Sequence, residues 1–113
     1  MSAWIAVDEV DKGNGCMQII PGSHKKLYPH VPNPNYIPDS GFFDKAVDPL
    51  LIDEKKAIDI ELKPGEFILF SESILHSSVP NLSERRRFGL SPRITVPFVD
   101  IDDRDNLKVL MLK

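Results

Sequence analysis

Residues 57–70 read AIDIELKPGEFILF, and their pattern decides the fold class. Ile58, Ile60 and Leu62 alternate with Asp59 and Glu61, so an extended chain here is apolar on one side and charged on the other. That pattern describes a half-exposed strand over 57–62. Pro64 and Gly65 then take the central positions of a type II turn, the second of which requires a positive φ. FILF (67–70) is a short, wholly apolar strand, expected inside a sandwich or barrel.

The rest of the chain extends the same theme. AWIAVDEV (3–10) suits a mostly buried strand through Trp4, Ile5, Val7 and Val10. DKGNG (11–15) is a turn, with Gly13 and Gly15 free to take positive φ and Asn14 tolerant of it. CMQIIPGSH (16–24) is a second strand stopped at Pro21-Gly22, and the two strands are expected to form a hairpin. FGLSPRITVPF (88–98) is a final strand, with Pro92 marking an edge or a bulge. VDIDDRDN (99–106) is an acidic loop, and LKVLMLK (107–113) is too short to assign. Short strands, Gly/Pro turns and 10 prolines leave little room for long helices. The expected class is all-β, an antiparallel sandwich or open barrel.

Residues 25–56 break the pattern. This stretch holds five of the prolines, together with Tyr28, Tyr36 and the Phe42-Phe43 pair. A long irregular connection in a compact domain is usually a lid or binding loop. Its aromatics either anchor the loop to the core, the favoured reading, or clamp an organic ligand.

The chain has 113 residues, 42% of them hydrophobic and 27% charged, which fits one globular domain over 1–113. A net charge of −3 provides no basic field for nucleic acid. The one cysteine, Cys16, excludes an intrachain disulfide and fits a reducing compartment. No basic leader with an apolar core opens the chain, and no apolar run reaches the roughly 18 residues that span a bilayer. A cytoplasmic, membrane-free protein is the expectation. Because a core strand begins at residue 3, the chain also reads as one entered in mid-domain.

Candidate chemistry centres on HSSVPNLSERRRFGLSPRIT (76–95). A calcium loop counted from Asp11 fails, because Gly22 falls where a bidentate Glu is needed. His24 and His30 match no zinc spacing and are expected to be structural or exposed. His76 has better context: an apolar strand behind it and a loop of small residues ahead. Arg87 stands at the head of the last strand. If strands 67–70 and 88–96 are neighbours, His76 and Arg87 converge on one pocket. Alternation puts Arg87, Gly89, Ser91 and Arg93 on one face and Phe88, Leu90 and Ile94 on the other. Arginine grips a carboxylate in two-point fashion, and Ser78 adds a hydroxyl donor. A solvated arginine cluster is an equal alternative on spacing alone.

Three blocks carry a family resemblance: AWIAVDEVDKGNGCMQIIPGSHK (3–25), LKPGEFILF (62–70) and the 76–95 stretch. In this order they resemble the C-terminal half of the phytanoyl-CoA dioxygenase family of iron(II)- and 2-oxoglutarate-dependent oxygenases. The resemblance implies a double-stranded β-helix and an iron held by two histidines and a carboxylate. It implies that His76 is the distal metal histidine and that Arg87, helped by Ser78, binds the far carboxylate of 2-oxoglutarate. Trp4 matches a tryptophan lining the cosubstrate pocket, Asn81 and Ser83 match loop-shaping residues, and Arg93 is a further pocket candidate. Arg85 and Arg86 are expected to be solvated.

The family's H-x-D metal motif has no counterpart, since the three histidines precede Lys25-Lys26, Val31-Pro32 and Ser77-Ser78. The expectation is therefore a portion of an oxygenase that hydroxylates a small organic molecule, inactive alone, with halogenation left open. The alternatives are a non-catalytic module for a carboxylate ligand, or one half of a split or self-associating protein that pairs through exposed strand edges.

Overall fold

In a computed structural model, residues 1–38 and 44–95 are described, and these form an all-β arrangement with short 3-10 turns and no α-helix. Phe42, Phe43, the acidic loop and the last seven residues fall outside them. No helix among the described residues is long and apolar enough to cross a membrane.

Among the described residues eight strands follow one another: β1 (Ser2–Ala6), β2 (Met17–Ile19), β3 (His30–Pro32), β4 (Lys45–Val47), β5 (Ile58–Ile60), β6 (Phe67–Phe70), β7 (His76–Ser78) and β8 (Gly89–Leu90). One three-stranded sheet has the order β6-β1-β8, a second β5-β2-β7, and β3 pairs with β4 alone. All pairings are antiparallel. The chain changes sheet between β1 and β2 and at each step from β5 to β8.

The expected hairpin of 3–10 with 16–24 does not form. β1 pairs with β6 and β8, whereas β2 pairs with β5 and β7. The reason lies in residues 11–15. Lys12–Asn14 is a 3-10 turn capped by Asp11, whose carboxylate accepts from Gly13 N at 2.7 Å. Asn14 is wholly buried, and its Oδ1 accepts from Asp11 N at 2.8 Å. This capped corner sends the chain to the other sheet instead of folding it back on β1.

The stretch 57–70 behaves mostly as its alternation predicts. Ile58–Ile60 is the strand, and Leu62 continues it as a bridge to Val10 through bonds of 2.8 and 2.9 Å. Gly65 has φ +87° and Glu66 N donates to Lys63 O at 3.0 Å, as a type II turn requires. β6 departs from expectation, because only Phe70 is buried while Phe67 is 58% and Leu69 51% exposed. β6 is an edge strand whose outer side is uncovered by the described residues. The segment 25–56 is likewise not wholly irregular, since His30 lies in β3, paired with Val47 of β4.

The core is small. Ala6, Val10 and Cys16 form its buried centre, with Trp4 and Leu62 packed against it. Burial pushes the Cys16 thiol up, so it is a packing group and not a reactive thiolate. Residues opposite one another in these ladders share a face. Ser2, Trp4, Ala6, Ile68, Phe70 and Gly89 therefore form the inner face of the first sheet. Met17, Ile19, Ile58, Ile60, His76 and Ser78 share one face of the second.

Candidate functional site

β2 acts as the ruler of the site. Ile19 stands opposite His76 and Met17 opposite Ser78, so both side chains project from the same side of β7, about 7 Å apart along the strand. HSS is thus a strand and not the loop expected from its small residues. Its entry is fixed by the PGSH turn. The buried Ser23 Oγ accepts from Leu75 N at 2.8 Å, and Ile20 N donates to Leu75 O at 3.0 Å.

His76 is oriented from two directions. Its Nδ1 lies 3.0 Å from Ile74 O, and its ring tilts against Phe70 of the first sheet at a centroid distance of 5.1 Å. A carbonyl only accepts, so Nδ1 is the donor in this contact and Nε2 is the ring nitrogen left free of it. That is the arrangement of a ligating imidazole, in which one nitrogen is held by a carbonyl and the other is left for a metal.

Arg87 reaches the other end of the ruler. Its Nη1 donates to Gly15 O, two residues before Met17. Gly15 itself, at φ +79°, lies so close to β7 that a Cβ there would stand 2.6 Å from Val79 O. Gly15, Ser78 and Arg87 are therefore gathered at one end, and His76 lies two residues further along. The route differs from expectation, because β6 and β8 are not neighbours and both flank β1. Arg87 instead reaches the chain just ahead of β2, and His76 and Ser78 pair with β2 itself. Arg87 has five N–H donors, and among the described residues one of them is used, which leaves its Nε/Nη2 edge as a two-donor fork of the kind that meets a carboxylate.

Trp4 sits on the same inner face. A Cβ on Gly89 would meet its ring at 2.4 Å, so the indole lies flush on the glycine two residues from Arg87. Arg93 is carried elsewhere: it bridges to Ser2 and its Nη1 lies 3.8 Å from Glu72. Asn81 Oδ1 accepts from Ser83 N and Ser83 Oγ at 3.0 and 2.7 Å, and its Nδ2 donates to Arg85 O at 2.6 Å. Both residues thus shape the loop between β7 and β8.

Arg85 and Arg86 are exposed, as expected, and each in addition grips an aspartate. Arg85 grips Asp11 through Nη1 and Nη2 at 2.8 and 2.6 Å, and Arg86 grips Asp8 through Nε and Nη2 at 2.8 and 2.7 Å. The Arg85 guanidinium holds the Asp11 carboxyl at about 2, well below the usual carboxylate range. The Arg86 bond lowers Asp8 in the same direction. A depressed folded-state pKa stabilises above the unfolded value, near 3.9, and that contribution is lost as pH falls toward 2. The effect is small because solvent screens these groups. The urea midpoint of the wild type should exceed that of Asp11→Asn at pH 5, with the gap closing between about pH 4 and pH 2. A gap that stayed constant across that window would contradict the pairing.

Asn14, Ser23, Asp8 and Asp11 are the positioning residues that spacing did not single out. Their signals were present only as turn punctuation, G-N-G and P-G-S, and as acidic residues flanking it.

The donors present do not make a complete metal centre. Among the described residues no three His, Cys, Asp or Glu side chains come together. His76 offers one imidazole. His24 and His30 are exposed, in the 23–25 turn and in β3. Iron(II) added to the 113-residue chain should bind no more tightly than to an isolated imidazole. Stoichiometric iron surviving dialysis would overturn this.

His76 and Ser78 thus stand opposite Ile19 and Met17 of β2, and Arg87 meets the chain just ahead of that strand at Gly15 O. The family model for phytanoyl-CoA dioxygenase (PhyH) matches residues 1–89, a span that includes Trp4, His76, Ser78 and Arg87. The dioxygenase lolE1 of Epichloe uncinata is 35% identical over 83 residues, covering 74% of this chain and 28% of that protein. Phytanoyl-CoA dioxygenase of Arabidopsis thaliana is 33% identical over 89 residues, covering 78% and 30%. A probable phytanoyl-CoA dioxygenase of Caenorhabditis elegans is 30% identical over 92 residues, covering 79% and 28%. This chain belongs to the phytanoyl-CoA dioxygenase family. It matches less than a third of the length of these relatives.

Proposed function

We propose that this chain supplies the cosubstrate-binding half of an iron(II)- and 2-oxoglutarate-dependent oxygenase on a double-stranded β-helix. Arg87 anchors the far carboxylate of 2-oxoglutarate, Ser78 donates a second hydrogen bond to it, and His76 is one of the metal ligands. Iron, with O2 and 2-oxoglutarate, would supply the oxidising power for hydroxylation or halogenation of a small organic substrate. The remaining ligands would come from polypeptide outside these 113 residues, because the chain carries no H-x-D motif. On that reading the chain alone does not turn over 2-oxoglutarate.

The observation that carries this reading is the order along β2: Arg87 at Gly15, Ser78 at Met17 and His76 at Ile19. A dicarboxylate laid along that line meets a cation at one end and the imidazole at the other. Titration of the chain with 2-oxoglutarate, succinate and acetate tests it through the amide signals of Gly15, Ser78 and Arg87. The two dicarboxylates should bind more tightly than acetate. Equal affinity for all three would reduce the site to a nonspecific anion contact.

A second reading concerns assembly. Phe67, Leu69 and Leu90 project from one face of the β6-β1-β8 sheet, and each is at least half exposed. Apolar residues gathered on one sheet face favour further polypeptide packed upon it, either a second copy of the chain or the remainder of a larger domain. Sedimentation should show concentration-dependent association of the isolated chain, and a strict monomer at every concentration would count against it.

A further inference from the structure

We propose that two aspartate–arginine forks, Asp11 with Arg85 and Asp8 with Arg86, are positioning devices for Arg87, holding segment 85–88 on the 8–15 turn so that its guanidinium arrives at Gly15 beside Ser78. The purpose of this latch rests on the carboxylate-anchor reading of Arg87, whereas its geometry stands without it.

Three consecutive arginines take three different acceptors on one short stretch of chain. Arg85 takes both oxygens of Asp11, Arg86 takes both oxygens of Asp8, and Arg87 takes the Gly15 carbonyl. Phe88 N also donates to Asp8 Oδ2 at 2.8 Å. The residues on either side of Arg87, Arg86 and Phe88, are thus both tied to Asp8, while Arg85 is tied to Asp11 in the turn that carries Gly15. Asn14 Nδ2 joins the set, donating to Glu9 O at 2.9 Å and reaching Arg86 O at 3.5 Å. Asn81 holds Arg85 O from within the loop itself.

Exposed ion pairs contribute little to stability, so stability is a poor account of two forks set side by side. What a fork fixes is direction: two parallel N–H bonds to one carboxylate set the plane of the guanidinium as well as its distance. Direction is what Arg87 lacks by itself. It sits on a long, rotamer-rich stem and holds one backbone oxygen. The capping role of Asp11 adds a coupling, because the same carboxylate that orients Arg85 shapes the corner leading to Gly15.

The test uses the 113-residue chain and the nitrogen-15 spectrum of its arginine side chains. In Asp8→Asn/Asp11→Asn each position keeps its size and one acceptor but loses its charge and its second acceptor. Solvent exchange of the Arg87 Nη1–H, the group that donates to Gly15 O, should quicken by about tenfold or more, while the amides of β1 and β6 hold their shifts. An Arg87 signal unchanged in the double Asn variant overturns the proposal.

Should that variant unfold, the wild type in about 1 M salt tests the same latch, because screening weakens the exposed forks. Arg87 exchange should quicken with the sheet amides unchanged, and salt-insensitive exchange overturns the proposal. Adding 2-oxoglutarate to the same samples separates the two ideas. No response in the wild type sinks the anchor and leaves the latch. A response of equal affinity in the double Asn variant sinks the latch alone.

Discussion

Alanine in place of Gly15 should lower the unfolding free energy by roughly 2–5 kcal/mol, combining left-handed backbone strain with overpacking. The first component is common to other glycines of this chain. Gly22 also has a left-handed backbone, at φ +77°, but nothing lies within 4 Å of where its Cβ would be. Gly22→Ala should therefore cost only about 1–2 kcal/mol, the backbone component alone. At Gly15 the added methyl meets Val79 O at 2.6 Å, and a carbonyl held between β7 and the following loop has little room to yield. Domains of this size hold roughly 5–15 kcal/mol in total, so the first substitution threatens folding and the second does not. Urea denaturation of both variants checks this, and equal costs would mean that β7 does not pass against Gly15.

Replacing Arg87 with alanine should nearly abolish 2-oxoglutarate binding. Removing the cation from a partly desolvated carboxylate costs roughly 2–5 kcal/mol, which is about 30-fold to several thousand-fold in affinity. Lysine should recover only part of the loss, since it lacks the planar edge that meets both oxygens. The stability change at 87 should be smaller, because one neutral acceptor, Gly15 O, loses one donor. Affinity and urea midpoint measured on the same variants separate these effects. A variant that lost stability and kept affinity would make Arg87 a structural clamp.

Much of this was legible in the chain. The alternation of Ile58, Asp59 and Ile60, the Pro64-Gly65 turn and the apolar run after it depend on local pattern and local φ, and all three are found where expected. The family resemblance implied one site for His76, Ser78 and Arg87; the structure pairs His76 and Ser78 with β2 and ties Arg87 to Gly15 just before it. What could not be read was which strands pair. Residues 3–10 and 16–24 look like a hairpin because a G-N-G turn separates them. The capping bonds of Asp11 and the buried Asn14 amide turn that segment into a crossover, and side-chain bonds of this kind leave no periodic trace. The partners of Arg85 and Arg86 were illegible for a related reason, since Asp11 and Asp8 lie more than seventy residues away in the chain. The exposure of Phe67 and Leu69 was hidden too, since an apolar strand reads alike whether one face or both are covered.

The central claim is that Arg87, Ser78 and His76 form one dicarboxylate site measured out along β2. Its most direct test is a 2-oxoglutarate titration of the wild type, Arg87→Ala and Arg93→Ala, followed at the amides of Gly15, Met17, Ile19, Ser78 and His76. The account predicts shifts that progress along β2 in the wild type, persist in Arg93→Ala and disappear in Arg87→Ala. Shifts that survived in Arg87→Ala and were lost in Arg93→Ala would move the site to the Glu72 end of the first sheet and contradict it.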